Sequence, residues 1–186
     1  MSLPYEAVPA RRELTVRSAD GTRLHVEEYG RADGPTVVLS HGWTCSTLFW
    51  APVVRLLAGD YRVVAYDQRG HGRSSVPATR EGYGTGVLAD DLQAVMEAVL
   101  PEGERAVLVG TADKLTPRGH SRGMAAKLPH LVGLTELPGL GHMTPIEDAP
   151  AVERVIRELV AAHLTAGSSA GPMEPAPVPV DEGKSA

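Results

Sequence analysis

A layered α/β domain, with a mostly parallel sheet, an antiparallel hairpin at its N-terminal side and helices on both faces, is the fold class this sequence predicts. Three observations predict it. Thr36-Val-Val-Leu39, Val63-Val-Ala-Tyr66 and Ala106-Val-Leu-Val109 are short continuous apolar runs, the pattern of parallel strands covered on both faces. Between and after them lie stretches whose apolar residues recur at helical spacing. Upstream, Glu13–Arg17 and Arg23–Tyr29 alternate apolar with polar around the turn residues Ala19-Asp20-Gly21, which reads as a hairpin at a sheet edge.

Taken in order, Met1 to Arg11 reads as a flexible leader and the hairpin follows it. After the first buried strand, Phe49, Val53, Leu56 and Leu57 predict a helix beyond Thr44. Leu88, Leu92, Val95, Met96 and Val99 predict a longer one, stopped by Pro101 and Gly103. Val152, Val155, Ile156, Leu159 and Val160 predict a C-terminal helix, with Asp148 and Pro150 as its start signals. A further strand is expected over Leu131 to Leu137. Thr165 to Ala186 is too rich in Gly, Pro, Ser and Ala to pack and reads as a disordered tail. One domain over residues 12–164 is expected. Strands alternating with helices place any ligand beyond the carboxyl ends of the strands.

The composition excludes several classes. Eighteen Lys and Arg against 23 Asp and Glu give a net charge of −5, which argues against a nucleic-acid partner. No apolar run approaches the roughly 18 residues of a membrane span, and the N-terminus has no basic start before an apolar stretch. With one cysteine, Cys45, neither an internal disulfide nor a multi-Cys zinc site can form, which fits a cytoplasmic location. The seven histidines show no His-x-x-x-His pairing, so no metal is expected. No Gly-x-Gly-x-x-Gly opens a helix after the first buried strand, so no dinucleotide cofactor is expected either.

Three segments carry chemistry: Ser40-His41-Gly42-Trp43-Thr44, Asp67-Gln-Arg-Gly-His71-Gly-Arg-Ser74, and Pro138-Gly-Leu-Gly-His142-Met143. In this order and context they resemble the α/β-hydrolase superfamily, especially its esterase-like and haloperoxidase-like members. That resemblance implies a backbone donor for an oxyanion on Trp43, where pre-aimed N–H groups stabilise the charge of a tetrahedral intermediate. It implies a structural turn over Asp67 to Ser74. It also implies that His142 is the catalytic histidine and that Asp113, in Val107-Leu-Val-Gly-Thr-Ala-Asp113, is the carboxylate that orients it. His71, with no acid partner indicated, reads as a hydrogen-bonded loop residue.

The family's nucleophile, on a Gly-x-Ser-x-Gly elbow after a buried strand, has no counterpart. Only one strand fits between Val99 and Asp113. Read as the elbow strand, Ala106 to Gly110 puts Ala112 in the serine's position; read as the acid-bearing strand, it removes the elbow. The chain thus resembles a hydrolase internally shortened near residues 107–111, with elbow and cap missing. Gly119-His-Ser121-Arg-Gly123 matches the elbow by letter, but Thr116-Pro117 before it signals a helix start, which would put Ser121 within a helix. Direct attack by Asp113 lacks the following glycines, and Cys45 has no neighbouring base to lower its pKa. The implied function is hydrolysis of small ester or related acyl bonds on a small-molecule substrate. The alternatives are water activation by the Asp113–His142 pair, and a non-catalytic remnant serving in binding or interaction. Lost strands would uncover apolar sheet, which favours self-association.

Overall fold

The computed structural model describes residues 6–102, 104, 106–110 and 144–164. Among these, five strands form one sheet in the order β1-β2-β4-β3-β5. β1 (Arg12–Arg17) and β2 (Arg23–Gly30) make the expected hairpin, with Arg12 opposite Glu28 and Arg17 opposite Arg23. Asp20 shapes its turn by accepting from the Thr22 N–H at 3.0 Å. β3 (Thr36–Ser40) is buried at every residue, which is why its sequence is a continuous run rather than an alternation. It pairs in parallel with β4 (Arg62–Tyr66) on one side and β5 (Ala106–Gly110) on the other, while β4 is antiparallel to β2.

Helices cover both faces, as the alternation within β3 demands. Val37 and Leu39 point to the layer formed by α1 (Ala51–Leu57) and α4 (Ala149–His163), where Trp50, Val53, Val54, Leu57, Val152, Ile156 and Val160 close one core. Val38 points to the opposite layer, where Leu92, Val95 and Val99 of α2 (Thr85–Val99) pack on Val16, Leu24, Val26 and Val64. Each such buried aliphatic side chain contributes roughly 1.5–3 kcal/mol relative to exposure, so these anchors rather than intrinsic propensity hold α2 on the sheet.

Local details depart from the sequence pattern. The segment after Thr44 is a 3₁₀ turn (Thr47–Trp50) running into α1, and Leu56, expected inside, is 40% exposed. Val54 takes the core position, because 53, 54 and 57 share the inner face once the helix begins at Ala51. Asp148 caps α4 by accepting from Ala151 N–H at 2.9 Å. Ahead of β1, the Arg11 N–H donates to Glu28 O at 2.8 Å, and Val8 and Ala10 pack against the first core. The expected strand over Leu131 to Leu137, the helix start at Thr116-Pro117 and the tail lie outside the described residues.

Candidate active site at the carboxyl edge of the sheet

Register decides which loops meet. Ser40 is paired with Tyr66 on β4 and with Gly110 on β5, so the chain leaves three neighbouring strands at one edge. The two described loops there are bolted together. Ser40 Oγ lies 3.0 Å from Tyr66 OH, and Gln68 Nε2 donates to Ser40 Oγ at 3.1 Å and to His41 O at 2.5 Å. His41 is fully buried, and its Nε2 accepts from the Gln68 N–H at 3.0 Å. Its proton therefore sits on Nδ1, which donates to Gly42 O at 2.8 Å. Burial pushes its pKa down from 6.5 to about 4, so the ring is neutral near pH 7, and its 3.8 Å approach to Asp67 is no ion pair there.

The turn beyond it is held open by the second histidine. Thr44 adopts φ 66°, a left-handed conformation that a threonine keeps only when its surroundings require it. Its N–H donates to His71 Nε2 at 3.1 Å, and His71 Nδ1–H donates to Arg69 O at 3.0 Å. His71 is thus the hydrogen-bonded loop residue its context suggested. With both ring nitrogens of each in use, neither His41 nor His71 has an edge left for a metal. Cys45, partly buried against the core, donates its N–H to Gly42 O at 3.3 Å. The Trp43 N–H makes no hydrogen bond among the described residues. Trp43 is 46% exposed, and its indole meets His71 and Tyr83 edge-on, at centroid distances of 5.0 and 5.7 Å.

Asp67 organises the Asp67–Ser74 turn through backbone amides. One carboxylate oxygen accepts from Thr47 N–H and the other from Arg73 N–H, each at 2.8 Å. Ser74 closes the loop, its hydroxyl donating to Asp67 O at 2.5 Å and accepting from His25 N–H at 2.9 Å. Gly72, at φ 50°, has no room for a Cβ, which would enter the Asp67 carboxylate. The structural role expected of this turn is visible in every one of these bonds.

Below the turn lies a network that sequence reasoning missed. The Arg69 guanidinium is completely buried and forks onto Asp91 of α2, with Nε and one terminal nitrogen each 2.6 Å from a carboxylate oxygen. It also donates to Asp20 at 2.8 Å and to Gly82 O at 3.1 Å. The Asp91 bonds hold Arg69 protonated, above the usual arginine range. An aspartate inside an apolar helical stripe was the one available signal.

Asp113, His142 and Ser121 lie outside the described residues, so the described geometry brings only Trp43 of the expected site residues to this edge. The chain re-enters the described fold two residues after His142, in the short helix α3 (Thr144–Glu147). α3 lies against the Thr47–Trp50 turn and against α1, with Ile146 partly buried against the first core. Among the described residues no helix is long and apolar enough to cross a membrane.

The sheet is mixed, with tight turns after its parallel strands β3 and β4, and helices cover both of its faces. Residues 35–103 match the family described as alpha/beta hydrolase fold. The chain is 46% identical over 96 residues to the probable oxidoreductase EphD of Mycobacterium tuberculosis, covering 50% of this chain and 16% of that protein. It is 41% identical over 86 residues to a non-heme chloroperoxidase of Streptomyces lividans, covering 46% of this chain and 30% of that one. Among solved structures, a putative aryl esterase from Burkholderia cenocepacia superposes with a TM-score of 0.51 at 36% identity, over 54% of this chain and 37% of the esterase. Residues 35–103 of the chain belong to the α/β-hydrolase fold superfamily. The chain spans less than a third of the length of these two curated relatives.

Proposed function

We propose that this chain hydrolyses small esters or related acyl compounds, with the Trp43 N–H as an oxyanion donor and Asp113 and His142 as the orienting acid and the base. The observation that carries this reading is the His41–Thr44 turn. An oxyanion donor must be unengaged in the resting protein and fixed by rigid neighbours, so that it needs no reorganisation when charge develops. The Trp43 amide has no partner among the described residues, while His41 and His71 lock the residues on either side of it. One such donor is worth ~2.7–4 kcal/mol to the transition state. Two further facts support the acid and base. The chain leaves β5 at Gly110, in register with Ser40, three residues before Asp113. His142 precedes by two residues a helix that lies against the 47–50 turn.

With Ala112 two residues beyond β5, the attacking group is water. Its oxygen adds to the carbonyl carbon as its proton passes to His142, and the same imidazole then protonates the departing alkoxide. The substrate is a small molecule; no metal, cofactor or nucleic acid is required. A second reading, that the chain is a non-catalytic binding or interaction domain, is favoured by that same alanine, whose methyl cannot serve as a nucleophile.

Turnover of 4-nitrophenyl acetate by the purified chain separates the two. Steady hydrolysis without a burst, lost in His142→Gln and with no adduct from a fluorophosphonate, supports the first. Turnover equal in parent and His142→Gln leaves the second. A phosphonate adduct on Ser121 would overturn the water mechanism.

A further inference from the structure

We infer that Glu13, His25 and Glu27 form a binding site for a divalent transition metal such as zinc, with Arg73 as its built-in competitor. Strand register creates the cluster. Glu13 on β1 is directly opposite Glu27 on β2, and His25 lies two residues earlier on the same face of β2. One donor atom from each falls within 4.8 Å of the others.

Like charges opposite one another destabilise an antiparallel pair, so this position needs a cation. Arg73 supplies one, donating to Glu13 Oε2 at 3.1 Å and to Glu27 Oε1. It does nothing for the third member. The Nε2 of His25 is buried without a hydrogen-bond partner among the described residues, 3.3 Å from Glu27 Oε1. A buried polar atom left unpaired is a standing cost, and a metal ion would remove it while neutralising both carboxylates.

The surroundings suit exchange. The Arg73 side chain is 52% exposed and can turn to solvent without leaving a charge buried. Tyr29 OH donates to Glu27 Oε2 at 2.5 Å, fixing that carboxylate as an outer-shell group would. A cleft of about 270 Å³ borders the cluster at Glu27, Tyr29 and Arg73. Imidazole with two carboxylates is a donor set zinc accepts.

Isothermal titration of the full chain with zinc chloride tests this, with His163→Gln as a control for histidines elsewhere. One zinc per chain should bind, and Glu13→Gln and His25→Gln should each weaken it at least ~10-fold. Glu13 is a surface residue, so its variant keeps the fold, which circular dichroism checks. Arg73→Gln should tighten binding and enlarge the rise in Tm that zinc produces. Unchanged affinity in Glu13→Gln and His25→Gln, or weaker binding in Arg73→Gln, would overturn the site.

Discussion

Replacing Asp91 by alanine should cost this protein about 3 kcal/mol. The figure follows from what Arg69 would lose and keep. Both of its 2.6 Å bonds to Asp91 disappear, while its side chain remains wholly buried. Removing one partner of such a pair typically costs about 3–5 kcal/mol, because the other charge is stranded away from water. Here Asp20 stays within 2.8 Å and is itself 48% exposed, so some compensation remains and the lower end applies. That is a large share of the roughly 5–15 kcal/mol that holds a domain together. Urea unfolding followed by circular dichroism measures it, with the slope of the transition unchanged. The double variant Arg69→Met with Asp91→Leu should recover most of the loss, since the pair's attraction and its desolvation nearly cancel. A single-variant loss below about 1 kcal/mol, or a double variant worse than the single, would refute the reasoning. The consequence reaches the candidate site, because Arg69 O is the acceptor that orients His71, which in turn holds Thr44.

Two other outcomes are expected. The folded-state pKa of His41 is about 4 against an ordinary 6.5, so between those values the unfolded chain binds a proton that the folded chain refuses. Stability is therefore full above pH 6.5 and falls as pH drops towards 4, by about 3 kcal/mol from this residue, with His25 adding in the same direction. His41→Gln should flatten the slope of unfolding free energy between pH 6.5 and 4.5 by about one proton; an unaltered slope would count against it. Gly72→Ala should cost about 1–3 kcal/mol, combining left-handed strain with collision against a carboxylate pinned at both oxygens. Gly21→Ala, at φ 84° with open space around it, should cost less, and equal shifts in urea midpoint would disprove the collision.

Much of the scaffold was legible because its signals are local. Alternation in Leu14, Val16, Leu24 and Val26 reports a hairpin with one covered face, and continuous runs report strands buried on both. The Asp67-x-x-Gly-x-Gly-x-Ser spacing likewise announced a turn that needs positive φ at Gly70 and Gly72. The buried charges were not legible. Glu27 and Glu28 are adjacent in β2 and face opposite sides, each meeting arginines far along the chain, Arg73 for the first and Arg62 for the second. A hydropathy pattern records that such residues are polar, not that a partner arrives 34 or 46 positions later.

The sequence by itself determined the order of strands and helices along the chain, most of the faces they bury and the glycine-dependent turns, because those depend on residues within a few positions of each other. Only the tertiary structure decided that β5 lies beside β3, that the partner of His71 is Thr44, and that Glu13, His25 and Glu27 converge. Each of these depends on register between strands distant in sequence, and register is set by the packing of the whole sheet, not by any one segment of it.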